Sequence, residues 1–160
     1  MREIKFRGRR LDNRRWVAGD LIHSKDGKVL INAGTKMFTT YAEVDPQTIG
    51  QFSGTRDKKG REIYEGDILR REWSYRNDPE YDEKGQITGF NYERTGYIVA
   101  PVTFTPCAGF HTKGGYSVMR NPDPGEPNFM TCTINKLKAA KSVVIGNIYD
   151  QPELIKAPTP

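Results

Sequence analysis

The chain has 160 residues, 18.2 kDa of mass, 25 Lys and Arg against 20 Asp and Glu, and a mean hydropathy of −0.72. That length suits one domain. The polar average is offset by 7 Phe, 8 Tyr and 2 Trp, whose rings bury large areas. No stretch approaches the roughly 18 to 20 apolar residues of a membrane span, and none follows the basic N-terminus as a signal peptide requires, so the expected location is the cytoplasm, with no membrane partner. Cys107 and Cys132 are too few for a disulfide framework and lack zinc spacing, which predicts free, buried thiols.

The charge is local. Arg2, Lys5, Arg7, Arg9, Arg10, Arg14 and Arg15 against Glu3 and Asp12 account for the whole +5. Within this segment, Ile4 and Phe6 alternate with charged residues, predicting a half-buried strand over 3–7. Residues 8–13 read as a polar turn and 15–22 as a second strand. Asp26-Gly27 then marks a hairpin into Val29-Leu30-Ile31. Val44-Asp45-Pro46 is extended, since the residue before proline avoids helical backbone. A strand over 48–54 precedes the polar turn 55–60. In 62–70, Glu65-Gly66 suits a turn of positive φ, with Asp67 bonding the backbone where the next strand starts.

Residues 74–96 are polar, carry Pro79 and net −2, the composition of an insertion or mobile hairpin rather than of core strands. β character resumes at 96–99 and 102–104. Gly114-Gly115 reads as a hairpin turn between Phe110 and Tyr116, and 121–127 as a loop. Residues 134–141 form the one fair helix candidate. A buried strand over 142–149 follows, then a turn at 150–154 and a flexible tail over 156–160.

Three ordered segments resemble the YopX family of phage and prophage proteins. They are Arg2-Glu3-Ile4-Lys5-Phe6-Arg7-Gly8 with Trp16-Val17 and Gly19-Asp20-Leu21; residues 44–54 with Asp57-Lys58-Lys59-Gly60 and Ile63-Tyr64-Glu65-Gly66-Asp67-Ile68; and Val144-Ile145-Gly146-Asn147-Ile148-Tyr149 with Pro152-Glu153-Leu154. The resemblance implies a phage or prophage origin, hence the cytoplasm of a bacterial host, and a compact β-rich fold. It carries over no catalytic residue. Residues 74–96 and 105–135 lie outside it.

Glu62, Glu65 and Asp67, with Asp57 nearby, are the one carboxylate cluster to weigh as acid–base groups or metal ligands. The plainer reading, a turn permitted by Gly66 and capped by Asp67, outweighs it, because no histidine with ligand spacing accompanies the acids. A metal-dependent hydrolase is therefore the remote alternative. His23, His111 and the cysteines carry no nucleophile signature, and neither GxxxxGK[ST] nor GxGxxG occurs. No catalytic residue, metal or cofactor is assigned.

The basic hairpin is the main functional hint. Arg9, Arg10, Arg14 and Arg15 stand next to Trp16, whose ring can stack on a base or a guanidinium, and arginine's fork suits phosphate oxygens. The plainer reading, a solvated hairpin with Trp16 in the core, weighs more. Gln51, Tyr64, Glu65, Asp67, Asn147 and Tyr149 are candidates to line a groove, though such residues as often bond the backbone.

These readings together predict one β-dominated domain over 1–155. Its core would be a small bent barrel, SH3-like at the 65–67 corner, with 74–96 looped out. The expected function is a phage accessory protein acting by binding, with nucleic acid slightly ahead of a host protein. The host protein would be held by Tyr75, Tyr81, Phe90 and Tyr92 of the insertion. A homo-oligomer stays open.

Overall fold

The computed structural model describes residues 3–34, 38–120, 129–136 and 138–156, and for 75–78, 90–93 and 129–136 it describes the backbone alone. The expected loop at 121–127, the tail from 157 onward and the side chains of Tyr75, Phe90, Tyr92 and Cys132 therefore lie outside the described residues.

Among those residues the chain is β-dominated, and its helical segments are three 3₁₀ turns, Pro46–Thr48, Ala139–Lys141 and Pro152–Ile155. The N-terminal sheet holds β1 (Phe6–Arg9), β2 (Trp16–His23), β3 (Val29–Asn32), β4 (Tyr41–Glu43), β5 (Gly50–Arg56) and β6 (Glu62–Tyr64), in the order β4-β3-β2-β1-β5-β6. A second sheet holds β7 (Asp67–Tyr81), β8 (Ile87–Thr105), β9 (Gly109–Met119), β10 (Phe129–Lys136) and β11 (Ser142–Asn147), in the order β10-β9-β8-β7-β11. The pairings between these strands are antiparallel. No closed barrel is found among the described residues. Instead of the expected bent barrel there are two open sheets, and the 65–67 turn joins a strand of one to a strand of the other.

Alternation builds the first core. Val29 and Ile31 point inward from β3 and meet Val44, with Val17, Leu21 and Ile49 packed around them. Gly8 lets β1 approach, since a Cβ there would press on Val44 and Ile31. β1 consequently runs on to Arg9, two residues into the expected turn, while Ile4 falls outside it and is 68% exposed. The second core joins the sheets: Ile63 of β6 packs with Leu69 and Val102, flanked by Phe110, Ala139 and Val144.

Two other expectations change, at Gly114-Gly115 and at 134–141, and the hairpin at 74–96 takes a definite form. Residues 74–96 are the outer part of a long β7–β8 ribbon, paired from Ile68 opposite Pro101 to Glu80 opposite Gly89, with a register shift before Tyr81 opposite Ile87, and closed by a turn at 82–86. Backbone pairing runs along the whole length of this hairpin. Gly114 and Gly115 form no hairpin turn; Gly114, at φ +78, opens a bulge inside β9, and Gly115 lets the backbone of Val99 pass. Of the candidate helix, 134–136 belong to β10 and Ala139–Lys141 is one 3₁₀ turn.

The β5–β6 turn also ties the sheets. Asp57, its side chain fully buried, accepts the backbone N–H of Lys59 (2.8 Å), Arg61 (2.9 Å) and, from β11, Val144 (3.0 Å), as well as Arg61 Nε (3.1 Å). The Lys58 N–H donates to Ser142 O (3.0 Å) and Arg61 Nη2 to Val144 O, so the outer edge of β11 is covered. Burial alone would raise the Asp57 carboxyl; the N–H donors of Val144, Arg61 and Lys59 together outweigh it and hold the group below its ordinary value of 3.8. A depressed carboxyl stabilises the fold above its unfolded value and loses that contribution as pH falls through the folded one. Asp57→Ala is expected to cost about 3 kcal/mol at pH 7, by orphaning buried donors. In urea melts across pH, its gap to the parent should narrow below pH 3.8; a constant gap would contradict the assignment.

Candidate functional site

Pairing places Arg7 and Arg9 of β1 opposite Ala18 and Trp16 of β2, on the face away from Gly8 and the first core. Arg7 is the centre of what gathers there. Its Nη1 lies 2.6 Å from Asp67 Oδ1, with side-chain exposures of 14% and 2%. The guanidinium carbon lies 4.7 Å from the Trp16 ring centroid and 5.0 Å from that of Tyr64, two cation–π contacts. Arg7 Nη2 reaches the Glu65 carbonyl at 3.4 Å, while Arg7 Nε is buried without a hydrogen-bond partner among the described residues.

The turn over 64–67 presents this carboxylate. Asp67 Oδ2 accepts the Tyr64 N–H (2.8 Å), and Gly66 holds φ +80 between them. Gly66 N–H donates to Val102 O (2.9 Å) and its carbonyl accepts from Ile148 (2.9 Å); a Cβ there would meet the Tyr149 ring at 2.9 Å. Burial pushes the Asp67 carboxyl above its ordinary value, against the pull of Arg7 and the Tyr64 N–H. Burial likewise raises the Tyr64 hydroxyl, reinforced by the bond it donates to Glu62 Oε2 (2.6 Å).

From the C-terminal side, Asn147 stands opposite Asp67 across β11 and β7. Its Oδ1 accepts the N–H of Tyr149 (3.0 Å) and Asp150 (2.9 Å), and its Nδ2 donates to Asp150 Oδ2 (2.7 Å). That carboxylate also accepts from Trp16 Nε1 (2.8 Å) and pairs with Arg9 Nη1 (3.3 Å). Burial would raise Asp150; Asn147, Trp16 and Arg9 together bring it below its ordinary value. The Tyr149 ring lies 5.9 Å from Trp16.

Of the groove candidates, Tyr64, Asp67 and the Glu65 carbonyl touch Arg7, while Tyr149 lies beside Trp16 and Asn147 bonds Asp150. Gln51 takes part through its backbone, accepting the Glu65 N–H (3.0 Å). The basic hairpin divides: Arg9 is held by Asp150 and Arg10 by Asp12, whereas Arg14 and Arg15 are exposed, without side-chain partners among the described residues. The four acids have separate engagements. Glu62 takes Lys5 (2.7 Å) and Arg56 (2.8 Å), Glu65 accepts Phe104 N–H (3.3 Å), Asp67 pairs with Arg7, and Asp57 accepts backbone donors. No three metal-binding side chains gather among the described residues. His111 is buried with Nδ1 2.9 Å from Gly109 O, His23 is exposed, and Cys107, expected buried, is exposed in the β8–β9 turn.

Arg7 and Asp150 were not among the residues singled out from sequence. Alternation and a β1–β2 pairing would have put Arg7 beside Trp16; nothing local pairs it with Asp67. Asp67→Asn keeps an acceptor for Tyr64 N–H but leaves Arg7 buried without its counter-charge, an expected loss of about 3 kcal/mol. Arg7→Met should then cost less in the Asp67→Asn background than in the parent, with a coupling above roughly 1 kcal/mol in urea melts. Strict additivity would show that the pair does not act as a unit.

No helix among the described residues is long and apolar enough to cross a membrane. No curated protein matches the chain. The family model described as YopX protein matches residues 5–156, running through the ribbon and through 105–135, which the motif resemblance did not cover. All three segments that carried the resemblance contribute to the contacts around Arg7, and on the extent of the match the chain belongs to the YopX protein family.

Proposed function

We propose that this chain is a non-enzymatic binding protein of a phage or prophage, and that its partner is nucleic acid. The observation that carries the reading is the β1–β2 turn, where Arg14 and Arg15 stand exposed and uncompensated. Arg14 adopts φ 61, its N–H bonded to Arg10 O (3.1 Å), and the Arg15 N–H donates to Asn13 Oδ1 (3.0 Å). Their backbone is thus fixed while their guanidinium heads stay in water, the state in which arginine meets phosphate at little desolvation cost. Arg9 and Arg10 support this pair from within carboxylate bonds, and Trp16 orients the turn through Asp150 instead of offering a free ring.

Each phosphate contact contributes about one unit to the salt dependence of duplex binding. Arg14→Ser with Arg15→Ser should weaken binding to mixed-sequence DNA and flatten the log Kd against log salt slope by about 2. An unchanged slope would remove the turn from the interface.

A second reading, capture of a host protein, rests on the ribbon tip. Tyr81 and Ile87 are cross-strand neighbours there and are 61% and 56% exposed, beside Asp82 and Glu83. Aromatic and aliphatic anchors of this type favour protein interfaces. Replacing 74–95 by a two-residue turn should leave the thermal transition cooperative and abolish capture of a host protein; retained capture would place the interface elsewhere.

A further inference from the structure

The second sheet carries a basic groove distinct from the arginine turn. It lies between the β5–β6 turn and strands β7 and β11, is lined by Lys58, Lys59, Arg70, Glu72, Val143 and Ile145, and measures about 350 Å³. That is within the size range of small-ligand clefts. Its walls are fixed: Lys58 N–H holds Ser142 O at 3.0 Å, Lys59 N–H holds Asp57 at 2.8 Å, and Val143 is the cross-strand partner of Arg70.

The charge in the groove is one-sided. Lys58 and Lys59 are exposed with no carboxylate partner among the described residues. Glu72 is its single acid, and both of its oxygens are taken, by Arg70 Nη2 (3.2 Å) and Arg120 Nη2 (2.7 Å). Arg70 in turn lies over Tyr97, 4.3 Å from the ring centroid, with 43% of its side chain exposed. Tyr97 beneath and Glu72 at one edge hold the guanidinium, leaving part of it open next to the apolar floor of Val143 and Ile145.

Two lysine heads, a seated guanidinium plane and an apolar floor match the parts of one ligand class. The lysines suit phosphate oxygens, and the plane and floor suit the face of a base. In a duplex, base faces are stacked away; in a single strand they are free to lie on aromatic rings or arginine planes. We propose that this groove binds single-stranded nucleic acid, with phosphate at Lys58 and Lys59 and a base stacked on Arg70. The assignment rests on the nucleic-acid reading above for its partner class and on separate residues for its site.

The test is fluorescence anisotropy of a labelled 15-nucleotide oligo-dT and a matched duplex over a salt series, with thermal melts confirming that each variant is folded. Lys58→Ser with Lys59→Ser should weaken oligo-dT binding about tenfold at low salt and flatten its slope by about 1.4, two phosphates at the single-strand increment. Duplex binding should change less than twofold. Arg70→Lys keeps the charge and removes the plane, so oligo-dT affinity should fall about fivefold at an unchanged slope. Arg14→Ser with Arg15→Ser should weaken both ligands.

Parent-like oligo-dT binding by both groove variants would overturn the groove while leaving the arginine turn standing. Groove variants that weaken binding beside an inert Arg14/Arg15 variant would support the groove and sink the turn. Equal affinity for a poly-glutamate peptide, or no oligo-dT binding by the parent at low salt, would overturn the single-strand assignment.

Discussion

Arg7 and Asp67 lie in different sheets, sixty residues apart, and each supplies the counter-charge to the other's buried group. A lone buried guanidinium is among the most unfavourable groups a fold can hold, and here its counter-charge, two rings and a carbonyl come from β2 and the 64–67 turn. The neighbourhood follows from that requirement. Gly66 must take positive φ for Asp67 to face β1 while its own peptide bonds Val102 and Ile148. Tyr149 can close over the turn because Gly66 has no Cβ, and Asn147 shapes the chain so that Asp150 reaches Trp16 and Arg9. The apolar contact of Ile63 with Leu69 and Val102 adds area to this joint, but an apolar contact is non-directional; the ion pair supplies the register.

The two buried carboxylates at the sheet junction respond to acid in opposite senses. Asp57 is held below its ordinary value by several donors, so protonating it removes stabilisation. Asp67 is pushed above its ordinary value by burial that Arg7 only partly offsets, so its ionised form is the costly one, and that cost fades as pH falls through the raised value. Asp57 is met by three backbone donors and Arg61, whereas Asp67 has one backbone donor, Tyr64 N–H, and relies on Arg7 for its counter-charge. In the second arrangement, removing either partner strands the other in the interior, which is where its energetic weight lies.

What could be read from the sequence is what local chemistry determines. The Asp26-Gly27 hairpin, with Gly27 at φ 83, the alternation of Val29 and Ile31 and the positive φ of Gly66 all follow from residues within a few positions. The polar composition of 74–96 predicts an insertion or mobile hairpin; that the segment is paired along its whole length depends on two strands at once, which composition does not encode. The helix formers of 134–141 lie in its second half, Leu137-Lys138-Ala139-Ala140-Lys141, while residues 134–136 are drawn into pairing with His111 to Lys113. The site divides the same way. Trp16, Tyr64, Asp67 and Tyr149 belong to recognisable segments, but that they meet on Arg7 is a property of two sheets that no single segment encodes.

Charge density along the chain was a poor guide to charge at the surface. The seven cations of residues 1–15 suggested one basic arm, but Lys5, Arg7, Arg9 and Arg10 are paired with Glu62, Asp67, Asp150 and Asp12. Three of those acids come from remote segments, so much of the arm acts as a strap across the molecule, with Arg7 the most deeply buried of its charges. Pairing also conserves net charge: Lys5, Arg7 and Arg9 each take an acid from elsewhere in the chain, and the positive excess reappears where no acid remains. Lys58 and Lys59 are such a place, carried on a turn whose one acid, Asp57, is turned inward onto backbone donors. The same inward turn that covers the edge of β11 therefore leaves the lysines outside uncompensated, and structural and electrostatic consequences of Asp57 cannot be separated. A protein that buries its acids at the joint between two sheets leaves cations at the periphery with no carboxylate beside them.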